Sequence, residues 1–357
     1  MSVLGQSRAG SGSGSASLAP AADGGAARRP CTVAALQLPP SATSAEINAG
    51  SPSGRFLAGF SSVGKALATP TRWDGTRAEA IKVIGPAEAK GVNDSGVTVG
   101  SGQGANGRSI AWAYVNGKVI TLPIPAGYTG AEATGINARG EVAGVLFGGV
   151  RTAAARWRDT TANAQVDILP ASGPAMAFGI SDSGVVVGGL DDDKGGSAYL
   201  WDAQGQGSSP VVPDGFVSPR VSGAQGEWAY GVLSRRTGEP ALPKVPERRG
   251  SRVATSPNSG GQTTDSQTAA VAWDLRTGQA TTVSGGDVGA VSSDGEMVIN
   301  HDGGTASLRS ADGTFLTLPS LFDNDSTYAV ALDGGGTQAA GISGRKPVRW
   351  QCPEGGK

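Results

Sequence analysis

One histidine, His301, serves a chain of 357 residues, so no histidine pair is available for a metal centre, and no nucleophile elbow accompanies it. Charge is also scarce: charged residues make up 17% of the chain and the net charge is −1. The 29 basic residues are not gathered beyond pairs such as Arg248-Arg249, so the electrostatic footprint of a phosphate-tracking surface is missing and nucleic acid is excluded as a partner. No apolar run approaches the length of about 18 residues needed for a transmembrane helix, so no membrane insertion is expected. The segment Met1 to Pro30 is rich in Gly, Ser and Ala and lacks the continuous apolar core of a signal peptide. Arg28-Arg29 is not followed by such a core either, so a twin-arginine reading fails at the same step. Residues 1–30 are therefore expected to be a disordered tail, because little in them can offset the entropy cost of ordering. Residues 353–357 form a second short tail.

What the chain has in quantity is glycine, 58 residues, beside only 5% aromatics. That balance points to many short strands joined by turns, and residues 31–352 are expected to form a single all-β domain. An internal repeat supplies the detail. Gly91-Val92-Asn93-Asp94-Ser95-Gly96-Val97-Thr98-Val99-Gly100 recurs at Gly135 to Gly144 and again at Gly179 to Gly188, with a spacing of 44 residues each time. Each copy predicts an apolar strand, a turn made by Asn or Ser with a glycine three residues on, and a second β-branched strand. The motif's last glycine falls inside that second strand, where glycine marks a crowded backbone approach. Weaker copies have turn glycines at Gly54, Gly226, Gly295 and Gly336, which makes seven units.

An aromatic residue follows most hairpins by 13 or 14 residues in the clear cases: Trp73, Tyr114, Trp157, Trp201, Trp273 and Trp350. The sixth unit has Ala306-Ser307-Leu308-Arg309 there. One repeat position used in every unit is a packing position, so these indoles are read as core between units, not as a sugar-stacking platform. Several units then end in an apolar strand closing on Leu-Pro, as at Leu122-Pro123, Leu169-Pro170 and Leu318-Pro319. Four strands per unit at this period predict a seven-bladed β-propeller with four-stranded antiparallel blades. A β-solenoid is the alternative, but its repeats are usually shorter and need no count near seven.

The seventh unit lacks a fourth strand, and Cys31 to Pro39 has the form of one, so the last blade is expected to be completed by the N-terminal strand. Overlaying Leu38 on Leu122 places Cys31 at the start of that strand, facing Cys352 across the seam. A Cys31–Cys352 disulfide follows, worth about 5 kcal/mol in the chain-entropy picture; the alternative is two free thiols. A disulfide argues for an oxidising compartment, secreted or cell-surface, although no signal peptide is visible.

These units resemble the bacterial extracellular HAF repeat family, with its G-I-N-x-x-G-x-V-V-G hairpin followed by an H-A-F-x-W run. Gly179 to Gly188 and Ser197-Ala198-Tyr199-Leu200-Trp201 match best, and Ala111, Ala154 and Ala270 hold the same place in other units, while no unit carries the family's histidine. The resemblance spans roughly residues 45 to 352. It implies an extracellular propeller and no defined activity.

Four unusual segments map to the face that carries the loops between second and third strands and between units. The first is an insertion at about 236–268 in blade five, including Arg248 and Arg249, read as a tolerated surface insertion or a partner-binding arm. Asp191-Asp192-Asp193 and Asp323-Asn324-Asp325-Ser326 offer oxygen ligands of the kind Ca²⁺ takes, but neither completes a calcium loop, so solvated turns are preferred and no cofactor is expected. The fourth is His301-Asp302. The leading expectation is a non-enzymatic binding or scaffold propeller, monomeric, recognising a carbohydrate or a protein through this face. The alternative is a lyase or hydrolase using His301 with Asp302.

Overall fold

The structure is a computed structural model that describes residues 29–64, 68–148, 151–191, 196–236 and 268–353. Among them every regular element is a β-strand, and the strands form seven four-stranded antiparallel sheets. The chain enters through β1 (Thr32–Ala35) and builds blade one from β2 (Ser44–Gly50), β3 (Phe56–Ser62), β4 (Thr69–Asp74) and β5 (Arg77–Ala80). Blade two is β6 (Ala87–Val92), β7 (Thr98–Gln103), β8 (Ser109–Val115) and β9 (Lys118–Thr121); blade three is β10 (Gly130–Ile136), β11 (Val142–Phe147), β12 (Ala153–Trp157) and β13 (Val166–Ile168). Blade four is β14 (Ala175–Ile180), β15 (Val186–Leu190), β16 (Ser197–Trp201) and the short β17 (Gly207–Ser208). Blade five follows with β18 (Phe216–Gln225), β19 (Trp228–Arg235), β20 (Thr268–Asp274) and β21 (Ala280–Ser284), and blade six with β22 (Asp287–Val291), β23 (Met297–His301), β24 (Thr305–Arg309) and β25 (Phe315–Thr317). Blade seven takes β26 (Thr327–Leu332), β27 (Gln338–Ser343) and β28 (Lys346–Gln351), and its fourth strand is β1, in the order β1-β28-β27-β26. The chain is a seven-bladed β-propeller closed by its own N-terminal strand.

Seven buried apolar clusters hold it, one between each pair of neighbouring blades, the ring-closing pair seven and one included. Trp73, Trp157, Trp201, Trp273 and Trp350 are all buried in these clusters, each with at most 1% of its surface exposed. Their indole N–H groups reach the preceding blade: Trp157 donates to the carbonyl of Pro123, Trp201 to Pro170 and Trp350 to Pro319. The repeated tryptophan and the repeated Leu-Pro ending are thus two halves of one contact. In blade two Tyr114 holds the position, its hydroxyl bonded to Glu79 of blade one. In blade six the position belongs to Arg309, which pairs with Met297 as Trp157 pairs with Val142.

The hairpin turns form as the repeat predicts. Asn137 Oδ1 accepts from the backbone N–H groups of Arg139 and Glu141, and Gly140 closes the turn at φ 83°. The glycine inside the second strand is there for space: a Cβ on Gly144 would fall on the carbonyl oxygen of Glu132 in the inner strand, and Gly100 and Gly188 meet the same obstacle from Glu88 and Met176.

One sequence expectation shifts. Leu36, not Leu38, takes the place of Leu122: its N–H bonds the carbonyl of Pro347 as that of Leu122 bonds Ala111, and Gln37 stands where Pro123 does, accepting the Trp73 indole. The register of β1 is therefore two residues from the one the overlay implies. Because a two-residue slip keeps every side chain on its face, the cysteines still meet. Cys31 and Cys352 are bonded, with Cα atoms 4.1 Å apart, and both are 4% exposed. The N-terminal tail to residue 28, the bulk of the 236–268 insertion with Arg248 and Arg249, Asp192, Asp193 and the end of the C-terminal tail lie outside the described residues.

Candidate functional site

A propeller offers two faces and a channel, and here they differ in chemistry. The turn side carries the hairpins between first and second strands and between third and fourth. Its polar groups are bonded to one another in a closed circuit. Asn93 Nδ2 donates to the carbonyl of Asn137 at 3.1 Å, and Asn137 Nδ2 donates to that of Ser181 at 3.0 Å, one blade onward each time. The circuit continues through the Asp182 N–H on Gly226, the Trp228 indole on Ser293, the Ser293 N–H on Gly334 and the Gly334 N–H on Pro52. The Ser53 N–H on Asp94 Oδ1, 2.8 Å, completes it. Ion pairs reinforce the same side: Arg55 with Asp74, Arg139 with Glu141, Arg158 with Asp167, Arg276 with Asp274.

Third-strand arginines contribute as well. Arg156, 1% exposed, pairs with Asp167 and donates to the carbonyls of Gly184 and Ala203 in blade four; Arg72 donates to Gly96 of blade two and Arg349 to Gly75 of blade one. Arg72-Trp73, Arg156-Trp157 and Arg349-Trp350 share this dipeptide, a repeat signal that passed unread in the sequence.

The channel is lined by the inner strands. Each carries a bulge that sets one residue off the ladder: Asn48, Lys90, Thr134 and Phe178 in blades one to four, then Ser222, Gly289 and Val330. On the turn side of these bulges is a cavity of about 160 Å³, lined by Asn48, Lys90, Thr134, Phe178 and Tyr230 among others. Its donors are largely spent on the wall: Asn48 on the Ala89 carbonyl, Thr134 on that of Ala177, Lys90 on Glu132 at 3.1 Å, and the Gln225 amide across the channel on Leu332. Burial pushes the Tyr230 phenol up to about 12, so it stays neutral over the physiological range. A small space with polar walls whose donors are already spent describes a hydrated channel better than a ligand pocket.

The loop side is different. Of the large apolar side chains left exposed, Val63, Ile84, Val211 and Phe322 sit on loop-side connections, and Met176 and Tyr328 stand on the inner strands above the bulge. Val119 and Ile168 lie on outer strands, Val119 close to the turn side, so six of the eight are on the loop side.

The described residues of all four sequence-predicted segments fall on this loop side. Asp191 follows β15; the insertion joins β19 to β20; His301 ends β23 and Asp302 begins the turn after it; Asp323 and Asp325 lie between β25 and β26. The structure brings the last two segments together, because the Thr327 N–H bonds the Gly304 carbonyl at 2.8 Å; the Ser326 carbonyl accepts from Gly344 of the β27–β28 turn. Asp191, in blade four, is not part of that group.

His301 is half-buried, and its Nε2 lies 2.8 Å from Ser307 Oγ. Ser307 is buried at 5% exposure inside the sheet, so the pair is a cross-strand hydrogen bond without an open nucleophile. Asp302 and Asp323 are exposed. No three His, Cys, Asp or Glu side chains gather into a metal-holding group among the described residues. No helix of the described chain is long and apolar enough to cross a membrane.

No protein-family model matches the chain, and no curated protein matches it. Solved structures do: one described as YCF48 bound to D1 peptide superposes with a TM-score of 0.50 at 12% identity, covering 92% of this chain and 96% of that one. At that identity the likeness is one of fold, and it places the chain among the β-propellers.

Proposed function

We propose that this protein is a non-enzymatic binding propeller of the HAF repeat type, working in an oxidising compartment outside the cytoplasm, and that its loop side is the recognition face. The observation that carries the reading is the asymmetry of the faces. The turn side satisfies its polar groups internally, while exposed apolar side chains collect on the other side, where a partner gains most by covering them. The Cys31–Cys352 disulfide supports the compartment. A polypeptide is favoured over a sugar, because the exposed side chains stand on separate loops around the channel rather than in one stacking platform. The structural neighbour's bound peptide agrees with that choice.

A displayed peptide library and a panel of soluble polysaccharides, screened on the full chain and on Met176→Asp and Asp74→Asn variants, test the reading. Peptides held by the parent and by the turn-side Asp74→Asn variant, but lost by Met176→Asp, are the expected result. Ligands lost only with the turn-side change overturn the face assignment. His301→Ala is expected to leave the affinity within about twofold, since a residue outside the contact centre contributes little. Turnover of any captured ligand that disappears in His301→Ala overturns the non-enzymatic reading.

A further inference from the structure

Phe322 and Tyr328 are the exposed aromatics of the loop side, 61% and 44% accessible, and they lie close along the chain where blade six hands over to blade seven. A turn fixes the first: the Asp325 N–H bonds the Phe322 carbonyl at 3.2 Å, and Asn324 within it takes φ 67°. The second is fixed by its hydroxyl, which donates to Asp287 Oδ2 of blade six at 2.8 Å. Carboxylates lie on the segments that carry the pair. Asp323 and Asp325 are in the same connection, Asp287 bonds the phenol, and Asp302 belongs to the blade-six turn that the Thr327 N–H ties to this segment. Arg345, in the turn between β27 and β28, and Lys346, which opens β28, are cations of the next loop-side turn.

Exposed aromatic rings next to an excess of negative charge form a surface complementary to one kind of ligand. A guanidinium or ammonium group can stack on the ring faces and ion-pair with the carboxylates at once. A neutral sugar leaves that charge uncompensated, and a bare divalent cation finds no three acidic groups gathered to hold it among the described residues. We propose that this sector of the loop side docks a basic segment of a partner polypeptide, with an arginine or lysine against Phe322 and Tyr328 and its charge answered by Asp302 and Asp323. The proposal rests on the loop side being the recognition face and narrows its partner to a cationic one.

The test uses the full oxidised chain and three labelled probes in fluorescence anisotropy: a decapeptide of alternating Arg and Leu, one of alternating Glu and Leu, and cellohexaose. The variants are Phe322→Ala, Asp302→Asn with Asp323→Asn, and the turn-side Asp74→Asn. The basic peptide is expected to bind, to weaken as salt is raised, and to lose about tenfold in affinity in the first two variants and none in the third. No binding of the basic peptide at about 1 mM, or equal binding of both peptides, overturns the proposal. Binding of the acidic peptide or the sugar that Phe322→Ala abolishes leaves the loop side as the recognition face and refutes the cationic partner. Binding lost in Asp74→Asn alone refutes the face itself.

Discussion

At the scale of single residues, the repeat is a set of obligations that one position places on another. The Trp157 indole is tied to the Pro123 carbonyl, so Trp157→Phe removes a donor from a buried acceptor as well as some packing. A loss of about 2 kcal/mol in urea unfolding is expected. Trp112 gives the control: it is fully buried between blades one and two, but its Nε1 has no partner, so Trp112→Phe is expected to cost clearly less than Trp157→Phe. Glycines separate in the same way. Gly144→Ala puts a methyl group onto the Glu132 carbonyl and is expected to cost about 3 kcal/mol, the upper range for overpacking. Gly226→Ala meets nothing within 4 Å and has only its φ of 55° against it, so about 1 kcal/mol is expected. Both roles were legible in the sequence, because a turn glycine and an in-strand glycine occupy different places in the motif. The unbonded Trp112 was not legible, since its hydrogen-bond state depends on what the neighbouring blade presents.

At the scale of the element, the sequence announced β1 as the missing strand but not its register. Leu36 and Leu38 are two residues apart, and a period of two fixes which face a strand buries without fixing how far along it pairs. Pairing settles the matter: Val33 lies opposite Trp350 and Ala35 opposite Val348. Blade six shows the other limit of pattern reading. It replaces the in-strand glycine by Ile299 and the aromatic by Arg309, yet the ladder with its bulge is retained, because neighbours on both sides dictate it. The closing element also sets a prediction. Cys31→Ser with Cys352→Ser lengthens the unconstrained chain in the unfolded state by a loop of 321 residues, and a loss of about 2–5 kcal/mol is expected. Matched thermal scans with and without reductant on the parent protein check it: equal midpoints would show that the disulfide adds no stability.

At the scale of the whole molecule, the ring is held on its turn side by ionised groups, which gives it an acid limit. Hydrogen bonding from Arg55 holds the Asp74 carboxyl below its ordinary range. Burial works to raise that of Glu141, but the hydrogen bonds from Arg139 and Asn137 outweigh it and bring it down too. Carboxyls lowered by folding stabilise the native state above their unfolded values, and that contribution is lost as pH falls through the folded ones. Stability is therefore expected to be level from neutrality to about pH 5 and to fall below about pH 4, near the unfolded carboxyl values. A urea midpoint that is unchanged down to pH 3 would contradict this. The propeller, its seven units and its closure could be read from periodicity, whereas the proposed recognition face could only be located to a side. Exposure of Phe322 or Tyr328 follows from how a connection crosses the ring, and no repeat position encodes it.

The closure has a mechanical consequence. β1 runs away from Cys31 and β28 runs toward Cys352, so the disulfide lies at the turn-side edge of blade seven, away from the proposed recognition face. A pull on the two ends of the chain passes from one cysteine to the other through a single covalent link, and the sheets between them carry no load. Cut that link, and the same force unzips the short β1–β28 ladder from its turn-side end, one pair at a time, opening the ring at its seam while the other six blades are still whole.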